Sequence, residues 1–173
     1  MEASAAQQND LDNFIIRSAQ EAFGFLPNLL QEMMEHNPAV ARTYLTTMKA
    51  MEQGTMHPAE RETVVLTISR YNDCHYCSAA HGKSCAMVGV PEADIEAVRT
   101  GQLPDDERLR DLVRATRLIM DKHGALSDDE KDDLRSRGIS ASDLYEITAL
   151  IGIKTLSNFV NQTAQTTVDE AFQ

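Results

Sequence analysis

Apolar residues recur at helical spacing along nearly the whole chain, and this pattern most restricts the possible folds. In the segment 107–124 the apolar positions are Leu109, Leu112, Val113, Ile119 and Met120. A spacing of three and four residues places them on one face of a helix. The segment 63–68, TVVLTI, is rich in β-branched residues, but a lone strand would have no partner in a helical chain. We therefore predict a buried helix there and an all-α fold.

Capping signals mark the ends of several predicted helices. Ser127 and Glu130 form a capping pair, and Ser140 is the expected cap of the final helix. The final helix has apolar residues on more than one face: Leu144, Ile147, Leu150, Ile151, Ile153, Leu156, Phe159 and Val160. Such a helix is expected to be central or to lie at a subunit interface. We predict one oligomeric, all-helical domain over 1–173, with a globular core over about 20–165 and peripheral termini.

Charge and hydropathy restrict the partners of the protein. The formal net charge of −11 argues against nucleic acid and anionic membrane surfaces, which attract basic proteins. The first ten residues have neither a basic nor an apolar segment, so no secretory signal is predicted. No apolar run reaches eighteen residues. The sequence thus predicts a cytoplasmic protein, in which closely spaced cysteines are more often catalytic or metal-binding than structural.

The segment 72–82, NDCHYCSAAHG, concentrates cysteine and histidine in one place. If Asp73 caps a helix, Cys74 and Cys77 lie in its first turn, where the helix dipole lowers thiol pKa values. His81 follows Cys77 by four residues, so it is expected to exchange a proton with that sulfur. If the chain reverses near residues 72–73, Glu62 on the preceding helix faces His81. The predicted order is Glu62, His81, Cys77, Cys74.

Two other interpretations of this cluster remain open from the residues alone. Cys74, Cys77 and His81, with His75, could bind zinc, although a structural zinc site usually joins two separated ligand pairs and no second pair exists here. The cysteines could also pack as small apolar residues, which is our interpretation of Cys85. The crowding of thiols and histidines favours a redox-active cysteine pair, with no metal.

The pattern E-x11-C-x-x-C-x3-H, formed by Glu62, Cys74, Cys77 and His81, resembles the signature of the alkylhydroperoxidase D-like branch of the carboxymuconolactone decarboxylase superfamily. The resemblance covers roughly residues 20–165 and includes FGFLPNLL upstream. It implies an all-helical fold, trimers or hexamers, and a thiol-dependent peroxidase or disulfide reductase activity. In this resemblance Cys77 is the nucleophile, Cys74 resolves it, and Glu62 and His81 form a proton relay.

The resemblance also indicates what the protein needs and where it departs from known members. It implies no bound cofactor beyond a redox-active Cys74–Cys77 disulfide, a hydroperoxide substrate, and a thiol or lipoyl-type protein as reductant. The well-understood members carry a second histidine where this chain has Tyr76, with His75 one place earlier. We predict that Tyr76 and His75 either line the mouth of the substrate pocket or merely cover the helix surface. The decarboxylase members generally lack the cysteine pair, which disfavours decarboxylation. The alternative function is a non-catalytic helical module with a zinc site or a redox-sensing clip.

Overall fold

A computed structural model describes residues 5–173 of the chain. Over that range it consists of nine α-helices and one short 3₁₀ turn, with no strand, which confirms the predicted all-α fold. The helices are α1 (Ala5–Phe23), α2 (Asn28–His36), α3 (Pro38–Met51), α4 (Pro58–Tyr71), α5 (His75–Met87), α6 (Glu92–Arg99), α7 (Glu107–Asp121), α8 (Asp128–Ser136) and α9 (Ala141–Ala164), followed by the 3₁₀ turn Glu170–Phe172.

Helix α4 is the central helix of the fold. It begins with a capping box, in which the His57 side chain accepts the Ala59 N–H and the Glu60 carboxylate accepts the His57 N–H. All side chains from 63 to 69 are buried, so the β-branched segment TVVLTI is a buried helix, as predicted. The helix packs against α5, α6, α7 and α9. Because α4 is enclosed, a polar side chain on its surface projects into the protein.

Three apolar clusters surround α4. One fills the space between α4, α7 and α9, and a second joins α4 to α5, α6 and α7. The third lies among α1, α2, α3 and the first turn of α5, and it includes Cys74, Tyr76 and Cys77. The two thiols therefore lie at the edge of an apolar cluster, where water is largely excluded.

The predicted caps of the last two helices are present. Ser127 and Glu130 form a capping box at the start of α8. Ser140 caps α9, and its partner three residues later is Asp143. Each box satisfies backbone N–H groups that have no partner within the helix. The start of α9, and with it the register of its inward face, is therefore determined by local sequence.

The predicted core of 20–165 is too narrow, and the described parts of both termini are not peripheral. Ile15 and Ala19 of α1 are fully buried, although α1 was not predicted. At the other end, Val168 and Phe172 pack against the same apolar cluster as α1. Residues 1–4, which the sequence assigned to the domain, lie outside the described range.

None of the described helices combines the length and apolarity needed to cross a membrane. The apolar segment of α9 is interrupted by Lys154, which is itself buried inside the protein.

Candidate functional site

The turn between α4 and α5 places the two cysteines. Asp73 has a φ of 54°, a left-handed conformation that aspartate tolerates better than most residues. The Cys74 N–H then donates to the Ser69 carbonyl at 2.9 Å, which closes α4 in the manner of a Schellman motif. The prediction that Asp73 caps α5 is wrong, because Asp73 ends α4. The cap of α5 is Cys74, and its sulfur accepts the Cys77 N–H at 3.3 Å.

Cys74 and Cys77 are both buried and both free thiols. The hydrogen bond with Cys74 and the charge of Lys154 lower the pKa of Cys77 to about 5, although burial opposes this. The Asn161 amide also donates to the Cys77 sulfur, at 3.1 Å. The same thiol–thiol hydrogen bond, together with burial, raises the pKa of Cys74. At neutral pH the site therefore holds a thiolate on Cys77 and a thiol on Cys74.

The structure brings Glu62 and His81 together, as the sequence indicated. Oε2 of Glu62 lies 2.9 Å from Nδ1 of His81, and the two side chains are only 16% and 12% exposed. Burial alone would raise the pKa of Glu62, but its hydrogen bond with His81 and the charges of Lys154 and Arg61 lower it. Glu62 is therefore a carboxylate, and an Nδ1–H of His81 that donates to it leaves Nε2 with a lone pair.

The sequence predicted that the Cys77 thiol lies next to His81, but Lys154 of α9 occupies that position. Nζ of Lys154 lies 2.8 Å from Nε2 of His81 and donates to the Tyr44 hydroxyl at 3.2 Å. Both ring nitrogens of His81 are therefore engaged, one by Glu62 and the other by Lys154. The prediction that His81 exchanges a proton with Cys77 directly is wrong, because the ammonium of Lys154 stands at the nitrogen that would do so.

Sequence reasoning missed Lys154, Asn158 and Asn161, and a signal for them exists in the chain. Ile147 and Leu150 are buried on the inward face of α9, and the same face continues through residues 154, 157, 158 and 161, which are also buried. The spacing of three and four residues is unbroken, and only the polarity changes. A polar continuation of a buried apolar stripe indicates a site rather than a solvated surface.

Tyr76 and His75 lie on different sides of α5. Tyr76 is buried and lines a cavity of about 40 Å³ with Cys77, His81 and Lys154. Its hydroxyl donates to Asp169 at 2.5 Å. His75 is exposed and lines a groove of about 830 Å³ that Cys74 also lines. Cys77 thus adjoins a small cavity, whereas Cys74 adjoins a much larger groove.

Cys85 packs in a different apolar cluster from Cys74 and Cys77. Cys85 is fully buried in the cluster between α4 and α7, and burial raises its pKa to about 12. It packs as an apolar residue, as the sequence indicated. Among the described residues, no group of three or more His, Cys, Asp or Glu side chains is arranged to hold a metal ion. The cation Lys154 beside His81 also disfavours a metal at that ring.

The middle of the chain is similar to a known protein family. Residues 38–118 match the model of the carboxymuconolactone decarboxylase family, a range that includes α4, the cysteine pair and His81. A search of the curated proteins finds no match. Over residues 38–118 the chain is similar to the carboxymuconolactone decarboxylase family, and its fold is that of two peroxidase-related proteins of known structure.

Solved structures show how widely the fold is shared. An uncharacterized peroxidase-related protein from Ralstonia eutropha JMP134, described as an alkylhydroperoxidase AhpD core, superposes with a TM-score of 0.82 at 23% identity, over 95% of this chain and 87% of that one. A peroxidase-related protein from Silicibacter sp. TM1040 gives 0.76 at 19%, over 94% and 87%. The debrominase Bmp8 gives 0.69 at 20%, over 98% and 91%. The fold is therefore shared by proteins described as peroxidase-related and by a debrominase.

Proposed function

We propose that the protein is a thiol-dependent hydroperoxide reductase that uses Cys77 as the nucleophile and Cys74 as the resolving thiol. The observation that carries this proposal is the asymmetry between the two sulfurs. Cys77 has a pKa of about 5 and adjoins the small cavity, and Cys74 has a raised pKa and adjoins the larger groove. Peroxide reduction needs one thiolate that attacks and one thiol that reacts second.

The chemistry proceeds in two steps at this pair. The Cys77 thiolate attacks one oxygen of the hydroperoxide, the O–O bond breaks, and Cys77 becomes a sulfenic acid while an alcohol leaves. The Cys74 sulfur then attacks the Cys77 sulfur, its proton joins the departing hydroxide as water, and a disulfide forms. Cys74 and Cys77 are three residues apart at a helix start, so this disulfide forms without much backbone movement. The Glu62–His81 relay supports the thiolate during the first step.

Regeneration of the dithiol requires an external reductant. We propose a thiol or a lipoyl-type protein, which would reach the Cys74 sulfur through the groove of about 830 Å³ that Cys74 and His75 line. An attacking thiol needs access to one sulfur of the disulfide, and the groove offers it at Cys74. We further propose a cytoplasmic homo-oligomer, a trimer or hexamer.

The alternative is a non-catalytic module in which the cluster binds zinc or acts as a redox-sensing clip. Both ring nitrogens of His81 are already engaged, and a zinc site would have to displace Lys154. Metal analysis of protein purified without added zinc tests this directly. Near-stoichiometric zinc would overturn the peroxidase proposal.

Trapping of the oxidised sulfur tests the proposed roles. Cys74→Ser, treated with hydrogen peroxide and dimedone, is expected to give a single adduct on Cys77 by mass spectrometry. Cys77→Ser is expected to consume no peroxide and to form no adduct on Cys74. In the unsubstituted protein, one peroxide per chain should remove two of the three thiols.

Cys85→Ser is the matched control, because it removes a buried cysteine that packs in a different apolar cluster from the pair. It should lose the same two thiols and keep the full rate. An adduct on Cys74 in the Cys77→Ser protein would reverse the roles of the two cysteines. No thiol loss with any hydroperoxide would overturn the proposed function itself.

A further inference from the structure

Lys154 is a buried cation, and the two-cysteine scheme assigns it no chemical step. Its side chain is 1% exposed, and burial of an ammonium is costly unless other groups compensate for it. Among the described residues no carboxylate lies within ion-pair distance of Nζ; Glu62 acts on it through His81. Its direct partners are His81, the Tyr44 hydroxyl and the Tyr44 ring, whose centroid is 5.2 Å from Nζ.

The partners of Lys154 orient the ammonium and leave it a donor. Glu62 holds the proton of His81 on Nδ1, so Nε2 accepts a hydrogen bond from Lys154, and the Tyr44 oxygen accepts a second. An ammonium has three N–H donors, which leaves one beyond these two contacts within the described residues. Lys154 lines the same small cavity as Cys77. A proton donor and a nucleophile thus share one small cavity.

We propose that Lys154 is the general acid of peroxide reduction and that Glu62 and His81 are positioning residues that hold it. This inference rests on the proposed function. When the Cys77 thiolate forms its S–O bond, the O–O bond breaks and the leaving oxygen carries the electron pair as an alkoxide. Lys154 donates a proton to that oxygen, and an alcohol leaves.

The proton count closes without another reactant. Cys77 gives up one proton when it ionises, and the alcohol gains one proton when the O–O bond breaks. Lys154 carries that proton between the two events, so a thiol and a hydroperoxide give a sulfenic acid and an alcohol. Sulfur is oxidised by two electrons and the peroxide is reduced by two.

The experiment compares two oxidants of similar size whose leaving groups differ in basicity. Ethyl hydroperoxide releases an alkoxide, a strong base that needs a proton, whereas peracetic acid releases a carboxylate, which needs none. Single-turnover rates are measured for the unsubstituted protein and for Lys154→Met, each divided by the fraction of Cys77 that is thiolate. Lys154→Met should lose about 10²–10⁴-fold with ethyl hydroperoxide, the usual range for a general acid. Its loss with peracetic acid should be much smaller.

Two further variants keep the outcome interpretable. Lys131→Met, on the exposed surface of α8, is the matched control and should match the unsubstituted protein with both oxidants. Tyr44→Phe keeps Lys154 but removes one acceptor that orients it, and it should show the same selective loss at smaller size. If Lys154→Met does not fold, Tyr44→Phe still tests whether Lys154 is the general acid.

Equal losses with both oxidants would show that Lys154 acts on the thiolate alone and would overturn its role as acid. Full activity of Lys154→Met would remove it from the reaction altogether. If the unsubstituted protein reacts with neither oxidant, the proposed function fails, and the inference fails with it.

Discussion

The titration of Cys77 is the prediction that most directly tests the electrostatics of the site. Alkylation of reduced protein by iodoacetamide, measured as a function of pH, should follow a midpoint at about 5, the pKa that the Cys74 hydrogen bond and the charge of Lys154 give this thiol. A free cysteine titrates at about 8.5. Because the folded-state pKa is lowered, the thiolate persists at neutral pH and is lost only as the pH falls through about 5.

The reactivity of Cys77 relative to a free cysteine depends on the pH at which it is measured. At pH 7, Cys77 would be about 99% thiolate against about 3% for a free cysteine, a gain of roughly 30-fold. Nucleophilicity falls with pKa at a Brønsted slope of about 0.4–0.5, which costs roughly 40-fold over the same difference. Near pH 7 the gain in thiolate fraction and the loss of nucleophilicity therefore cancel. At pH 5 the thiolate gain is roughly 1,500-fold, so Cys77 should react several tens of times faster than a free cysteine.

Cys77→Ser and Cys74→Ala separate the sources of the signal. Cys77→Ser should abolish the acidic titration, since Cys85 has a pKa of about 12 and is buried. Cys74→Ala should move the midpoint upward, because the largest contribution to the lowered pKa is lost. An alkylation midpoint near 8.5 in the unsubstituted protein, or an acidic midpoint that survives in Cys77→Ser, would refute the reasoning.

Three further predictions concern the relay, the assembly and the cavity. Glu62→Gln and His81→Gln should each slow peroxide consumption by about 10²–10⁴-fold. The double variant should be little slower than either single variant, because the two residues act in series. Full activity of Glu62→Gln would remove Glu62 from the mechanism. Light scattering should give at least three chains of 19.2 kDa, since Tyr145 and Phe159 on α9 are 78% and 53% exposed; a monomer at micromolar concentration would contradict this. Phe172→Ala should raise kcat/KM for cumene hydroperoxide by about tenfold relative to hydrogen peroxide, because Phe172 lines the cavity of about 40 Å³. Equal changes in kcat/KM for both peroxides would count against that role.

The helices and the Glu62–His81 pair could be predicted because their causes are local. Capping boxes at Ser127 and Ser140 determine where α8 and α9 begin, and each depends on residues three apart. Glu62 meets His81 because two helices joined by a tight reversal have a fixed rise per residue. Each of these inferences needs only a short stretch of sequence.

The rest of the site depends on contacts between residues distant in sequence. His81 meets Lys154, 73 positions away, and Cys77 meets Asn161, 84 positions away. Tyr76 meets Asp169, 93 positions away, across the C-terminal segment. A single sequence does not show which helix faces include these partners, and polar residues are ordinarily assigned to solvent.

The low pKa of Cys77 is not by itself a sufficient cause of catalysis, because at neutral pH its gain in thiolate is offset by its loss of nucleophilicity. In the proposed reaction, the remaining barrier lies in the departing oxygen, which must leave the cavity beside Cys77 as a strong base. A group that acts there has to be buried, cationic and able to give up a proton, and it has to be held in place by other polar residues. Helix α9 places Lys154, Asn158 and Asn161 on its inward face, where apolar residues would pack more favourably. In the proposed mechanism, this polar stripe costs stability and provides the proton that the departing oxygen needs.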